Sequence, residues 1–159
     1  MTTRRSATSS SQRAAQYSEA VSQCACFRFR KASRAITQLF DEALQPVGLR
    51  STQLVILLSI GASEEPPTIA QLAREMVMDP STLNRNLQPL SRRRLVSRTT
   101  SRDGRRKFLS LTDKGVAAIE ESVPLWEKAQ TQFVEQIGSE RWGDLRQRMD
   151  AVISAARLS

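Results

Sequence analysis

The sequence predicts a mainly α-helical fold carrying one small β-hairpin, with long helices toward both ends of the chain. Three observations lead there. Apolar residues make up 40% of the 159-residue chain while aromatics make up only 5%, so the core must rest on Leu, Ile, Val and Ala, a mixture that suits helices better than a β-sandwich. Apolar positions recur at helical spacing through most of the length. Only one place sets two short strand-like runs on either side of a polar, glycine-containing turn, at residues 101–106. The length is that of one folding unit, enough to bury a core and short for two.

Residues 1–16 are rich in Ser, Thr and Arg and contain no apolar run. This composition predicts a disordered tail and excludes a secretory signal; a single domain is expected over 17–159. From Val21 to Leu44 a long first helix should form, with Phe29, Ala32, Ile36, Leu39, Phe40 and Ala43 at helical spacing, ended by Pro46 and Gly48. Ser51 is suited to cap the next helix, whose run Leu54, Val55, Ile56, Leu57, Leu58 is apolar on every side and therefore central, with Gly61 as its end. Thr68 then caps a short helix that turns Ile69, Leu72, Ala73 and Met76 inward. Asp79 and Pro80 start a fourth, the carboxylate as N-cap and the proline preset for the first helical position. Its apolar face is Leu83, Leu87 and Leu90, which puts Ser81, Thr82, Asn84, Arg85 and Gln88 on the other side or its flanks. Pro89 should strain or kink the last turns. Residues 95–100 and 107–111 read as the two strands of the hairpin. Thr112 caps a long helix striped by Val116, Ile119, Val123, Trp126, Phe133 and Ile137, with Pro124 as a kink point. Gly138 and Ser139 separate a last helix carrying Trp142, Leu145, Met149, Val152 and Ile153.

Charge is distributed unevenly over this frame. Between residues 80 and 107 lie nine cations, Arg85, Arg92, Arg93, Arg94, Arg98, Arg102, Arg105, Arg106 and Lys107, against one anion, Asp103. That local surplus of eight equals the net charge of the whole chain, +8, so the other 15 cations and 15 anions cancel. A solvated surface normally mixes signs, as the remainder of this chain does, and a one-signed stretch predicts a polyanionic partner. Helices at about 69–76 and 80–93, separated by about three residues, have the spacing of a helix-turn-helix. The basic hairpin after them makes it a winged one, over about 50–112. In that arrangement the second helix enters the major groove, where Asn84, Arg85 and Gln88 have the donors and acceptors to read base edges. Ser81 and Thr82, near its N-terminus, suit phosphate oxygens. The hairpin, with Arg102, Arg105, Arg106 and Lys107, reaches the adjacent minor groove. Asp103, an acid in a cationic loop, is expected to pair with Arg105 or a neighbour and hold the loop's shape.

Three stretches carry a family resemblance. They are Ile69-Ala70-Gln71-Leu72-Ala73; Asp79-Pro80-Ser81-Thr82-Leu83-Asn84-Arg85-Asn86-Leu87, continuing to Leu95-Val96; and, most specific, Asp103-Gly104-Arg105-Arg106-Lys107-Phe108-Leu109-Ser110-Leu111-Thr112-Asp113-Lys114-Gly115. From about Cys24 to the C-terminus the chain resembles the multiple-antibiotic-resistance (MarR) regulators. The resemblance implies a transcriptional regulator, commonly a repressor, that forms an obligate homodimer through helices at about 20–45 and 113–157. It also implies a pseudo-palindromic operator in double-stranded DNA and, often, a small-molecule or oxidant signal that releases it. Carried over by position, Arg105 is the wing residue that enters the minor groove and Asp103 its loop-fixing partner. The chain departs from the family at Arg94, where a Gly is usual; a left-handed cap there strains a residue that has a Cβ.

No histidine is present, so the commonest general base and transition-metal ligand are missing, and no nucleophile is visible beside a base. The expectation is therefore of a protein that is not an enzyme, with no cofactor or metal implied. No run of about 18 apolar residues exists to form a transmembrane helix. The only cysteines, Cys24 and Cys26, are too few for a disulfide framework, which points to the cytoplasm.

Cys26-Phe27 matches the cysteine position of the family's organic-hydroperoxide-sensing branch. That similarity implies an alternative, a thiol-based peroxide-sensing repressor with Cys26 reactive and Cys24 a second thiol; Arg28 and Arg30 would favour the thiolate. Against it, a helical Cys is more often a small core residue, and the phenol side chains of that branch are replaced here by Arg30 and Phe40. Residues two apart on a helix point in different directions, which argues against a Cys24–Cys26 disulfide. Phe133, Ile137, Trp142, Leu145, Met149 and Val152 offer more apolar surface than a small winged helix can hide alone, so two subunits should share it. A ligand pocket is expected between the dimer helices and the DNA-reading lobe, with no residue set naming the effector. A sequence-indifferent architectural nucleic-acid-binding protein also stays open; it would hold random duplex as tightly as an operator.

Overall fold

The structure, a computed structural model, describes residues 4–101 and 106–157. The helices are α1 (Arg4–Gln23), α2 (Ala25–Ala43), α3 (Ser51–Ala62), α4 (Ile69–Glu75), α5 (Pro80–Arg92), α6 (Asp113–Ile137) and α7 (Ser139–Arg157). A 3-10 turn at Gln45–Val47 precedes α3, and strands β1 (Val96–Thr100) and β2 (Lys107–Leu111) lie between α5 and α6. This is the mainly helical, hairpin-bearing winged helix-turn-helix that the sequence predicts. The chain divides into two compact units, Met1–Leu39 and Phe40–Ser159, whereas a tail and one domain were expected.

In the first unit the segment expected to be a disordered tail is helical. Gln12, Arg13, Ala14, Ala15 and Gln16 are all good helix formers, and their preference carries α1 through the serines that suggested disorder. The single long helix expected from Val21 is instead interrupted at Cys24, which caps α2. The Phe27 backbone N–H donates to Cys24 Sγ at 3.5 Å, and the Arg28 N–H donates to the Cys24 carbonyl at 3.1 Å. Sulfur is a weak acceptor, so the junction rests also on Arg28, whose Nε donates to the Ser22 carbonyl at 2.6 Å.

The second unit is built around α3. Leu54, Ile56, Leu57 and Ile60 are buried on it, although Val55 points out at 46% exposure, so this helix, apolar on every side, is not buried on every side. Leu72 and Ala73 of α4, Leu83, Leu87 and Leu90 of α5, Leu95, Val96 of β1 and Leu109 of β2 complete one cluster with Ile56, Leu57 and Ile60. Each such leucine contributes about 1.5–3 kcal/mol by leaving water. The cap of α3 differs from expectation. Arg50 holds the cap position, its N–H donating to Gln53 Oε1 at 3.0 Å, while Ser51 opens the helix and gives both its N–H and its hydroxyl to Asp41 Oδ1, each at 2.7 Å. A carboxylate brought from ten residues upstream at a helix N-terminus outcompetes the local serine.

The strands pair antiparallel, Val96 opposite Leu111 through Thr100 opposite Lys107. The Leu109 N–H also donates to the Pro67 carbonyl at 2.9 Å, and Thr68 bridges to Phe108, so β2 is tied to the residues that open α4. Thr112 caps α6 as expected, accepting from the Gly115 N–H at 3.0 Å and donating its hydroxyl to the Arg94 carbonyl at 2.6 Å. A Cβ on Gly115 would stand 2.1 Å from the Leu95 carbonyl oxygen, which explains the glycine at that position of the long motif. Phe133 and Trp142 meet edge to face, centroids 5.6 Å apart, and join α6 to α7.

Candidate nucleic-acid interface

Two caps aim the helix pair. Thr68 Oγ1 accepts the Gln71 N–H at 3.2 Å, and Gln71 Oε1 accepts the Thr68 N–H at 2.8 Å, a reciprocal box at the start of α4. Asp79 caps α5, Oδ1 accepting the Thr82 N–H at 2.9 Å, with Pro80 following as expected. Leu83, Leu87 and Leu90 are fully buried, and that anchoring turns the opposite face outward. The helix runs through Pro89 to Arg92.

Both helices of the pair end in the same way. After α4 the Val77 N–H reaches the Arg74 carbonyl at 3.3 Å and the Met78 N–H the Ala73 carbonyl at 2.8 Å. After α5 the Arg94 N–H reaches Ser91 at 3.0 Å and the Leu95 N–H reaches Leu90 at 2.9 Å. This is the Schellman pattern, and it demands a left-handed residue. Val77 has φ 53° and Arg94 φ 60°, so both positions carry a Cβ where glycine is unstrained. The strain expected at Arg94 is present; the one at Val77 has no sequence signal.

The outward residues of α5 form a linked set. Ser81, Arg85 and Gln88 are exposed, Thr82 and Asn84 partly so. Ser81 donates its hydroxyl to Asp79 Oδ1 at 2.5 Å, and Thr82 donates its own to Asp79 Oδ2. Arg85 Nη2 donates to Thr82 Oγ1 at 3.0 Å. The hydroxyls expected to face phosphate thus already give their protons to a carboxylate. These two hydroxyls, Ser81 foremost, together with the Thr82 N–H, hold the Asp79 carboxyl well below the usual carboxylate range. From β1, Arg98 Nη1 approaches Asn84 Oδ1 at 3.4 Å; the sequence places Arg98 in the cationic stretch, and only pairing of the hairpin brings it beside α5.

The hairpin base joins this face. An open groove of about 1080 Å³ is lined in part by Asn84, Pro80, Arg74, Arg106, Lys107 and Phe108, which brings a polar residue of α5 and two of the hairpin cations to one depression. Arg102, Asp103 and Arg105 lie outside the described residues. Of the described cations in the stretch, Arg85, Arg92, Arg94, Arg98, Arg106 and Lys107 are exposed. Arg93 is half-buried and serves the fold: its Nη1 donates to the Gly48 carbonyl at 2.6 Å and its Nη2 to Val47 at 3.3 Å, clamping the turn before α3.

Cys24 and Cys26 are free and exposed, so neither is the small core residue that helical cysteines usually are. Among the described residues no three His, Cys, Asp or Glu side chains gather to hold a metal, and no helix is long and apolar enough to cross a membrane.

Comparisons with known proteins agree with this geometry. The sequence profile of the MarR family matches residues 47–107, from the turn before α3 to the start of β2. The HTH-type transcriptional regulator SarZ of Staphylococcus saprophyticus is 33% identical over 91 residues, 57% of this chain, and the chain spans 62% of the length of that curated relative. Among solved structures, the M. tuberculosis transcriptional regulator MosR is 34% identical with a TM-score of 0.77, covering 87% of this chain and 99% of that one. Its complex with DNA gives 35% identity and a TM-score of 0.79, covering 86% and 98%. The S. aureus MepR–DNA complex, at 22% identity and a TM-score of 0.73 over 84% and 98% of the two chains, shares the fold.

Proposed function

The chain belongs to the MarR family, and from that premise we propose that it is a homodimeric regulator of transcription that binds a pseudo-palindromic operator in double-stranded DNA. One observation carries the reading: the polar face of α5, anchored from behind by three buried leucines, stands beside a hairpin base in a stretch whose surplus of eight positive charges accounts for the net charge of the whole chain. Asn84, Arg85 and Gln88 read base edges in the major groove, Ser81 lies toward the backbone, and Arg102, Arg105, Arg106 and Lys107 engage the minor groove and its phosphates, with Asp103 shaping the loop. MosR and MepR are each seen bound to DNA, and this chain shares their fold.

A second copy is the proposed cover for the apolar side chains that each unit leaves open. Phe27, Phe29 and Ile36 of α2 are exposed, as are Leu145, Val152 and Ile153 of α7, more than a monomer in water ordinarily shows. The dimer sets two reading heads about one helical turn apart. The role is regulatory rather than enzymatic and the setting cytoplasmic, with a small-molecule effector changing the spacing of the heads. Selection of bound fragments from random duplex DNA, with and without candidate effectors, tests this. Enrichment of an inverted repeat with half-sites roughly 10 base pairs apart is expected; random duplex held as tightly as any selected fragment favours the architectural alternative instead.

The exposure of both thiols favours one elaboration, release by peroxide through oxidation of Cys26, with Cys24 as a second thiol at the α1–α2 break. Cys26→Ser is expected to abolish peroxide-induced release, and a wild-type protein that ignores peroxide rules the elaboration out.

A further inference from the structure

We propose that Asp79 and Thr82 are positioning residues that set the base specificity of Arg85 through a hydrogen-bond relay running from Arg85 to Thr82 to Asp79. The inference rests on the operator-binding reading above and deepens it. Three contacts compose the relay. Arg85 Nη2 donates to Thr82 Oγ1 at 3.0 Å, Thr82 Oγ1 donates to Asp79 Oδ2, and the other carboxylate oxygen takes the Thr82 N–H at 2.9 Å, which fixes the carboxylate against the helix end.

Chemistry sets the direction of this relay. A guanidinium has only donors and a carboxylate only acceptors, so the threonine hydroxyl between them must accept from one and give to the other. Giving its proton to an anion makes the threonine oxygen a better acceptor for the arginine. Arg85 is exposed, and an untethered arginine there samples many rotamers, each of which must be given up on docking. The relay holds it in one region and consumes one of its five N–H groups, which leaves enough for the bidentate contact with guanine O6 and N7.

The same contacts argue against the simpler assignment of Thr82 as a phosphate ligand. Its hydroxyl proton is taken, and the Asp79 carboxylate beside it repels phosphate while cancelling part of the positive end of α5. Hydrogen bonds keep Asp79 ionised well below neutral pH, so the relay persists under any ordinary binding condition. From the other strand side, Arg98 approaches Asn84 Oδ1, so a second reading residue is also steered by a neighbour and not left free.

The test measures dissociation constants of full-length wild type, Arg85→Ala, Thr82→Val, Thr82→Ser and Asp79→Asn for a selected operator and for variants with each base pair of one half-site replaced in turn. Arg85→Ala identifies the position that Arg85 reads, as the one where discrimination disappears. Thr82→Val keeps the shape and the backbone N–H that Asp79 caps but removes the hydroxyl; it is expected to lower discrimination at that same position about tenfold, and Asp79→Asn to do so in the same place. Thr82→Ser, which retains the hydroxyl, is expected to keep the wild-type preference. A purely structural role moves affinity for every duplex by one factor and leaves the ratios alone, and that result overturns the proposal. So does wild-type discrimination in Thr82→Val, or an Arg85→Ala that loses no position. A wild-type protein with no preference among duplexes sinks the operator-binding reading itself, which is a different failure.

Discussion

Val77→Gly should make the protein more stable, although it deletes a side chain. Val77 closes the turn of the helix-turn-helix in a left-handed conformation, φ 53°, with its N–H bonded to Arg74 and the next N–H to Ala73. For a residue with a Cβ that region costs about 1–2 kcal/mol, and a β-branched side chain sits at the upper end. Glycine removes the cost but gains freedom in the unfolded chain, worth about 0.4–1 kcal/mol in the opposite direction. Since Val77 is 58% exposed, little buried apolar area is lost. The balance is a gain of about 1 kcal/mol, or an upward shift in melting temperature of about 2–4 °C for a chain of this size. Thermal melts at fixed protein concentration, needed because association shifts apparent stability, should rank Val77→Gly above Val77→Ala, which trims the branch but keeps the Cβ. If the alanine variant melts as high as the glycine one, the strain reasoning is wrong.

Four further outcomes are expected. Arg94→Gly, at φ 60°, should likewise stabilise the fold by about 0.5–1 kcal/mol relative to Arg94→Ala in urea titrations, while DNA binding weakens if the lost cation met phosphate. Gly115→Ala should destabilise by about 1–3 kcal/mol, since its Cβ would meet the Leu95 carbonyl oxygen; chemical denaturation reads this directly. Arg105→Ala should weaken operator binding and lower the slope of log affinity against log salt by about one, and an unchanged slope removes the wing tip from the interface. Asp79 has a lowered folded-state pKa, so its contribution is fully present above the unfolded carboxylate pKa of about 3.9 and fades as pH falls through the lower folded value. The stability difference between wild type and Asp79→Asn should therefore be constant from neutral pH to about pH 5 and shrink only in stronger acid.

What the sequence by itself determined were the features settled within one or two turns. Thr68, Asp79 with Pro80, and Thr112 announce their helices because each cap bonds a backbone N–H only three residues on. The spacing of Leu83, Leu87 and Leu90 chose the buried side of α5 and hence the outward placing of Ser81, Arg85 and Gln88. The clustering of arginine marked the candidate interface because charge needs no fold to be counted. Tertiary structure decided the rest. Ser51 yields its cap role because Asp41 comes from ten residues away, and Arg93 leaves the cationic face because the carbonyls of Val47 and Gly48 arrive from a distant turn. Arg98 joins Asn84 only after the strands pair, and Gly115 is required only because β1 begins against it. Thr82, suited by type to a phosphate, is committed instead between Asp79 and Arg85. Residue type states what a side chain can bond; which partner it takes is decided by what the packing of buried leucines brings within reach.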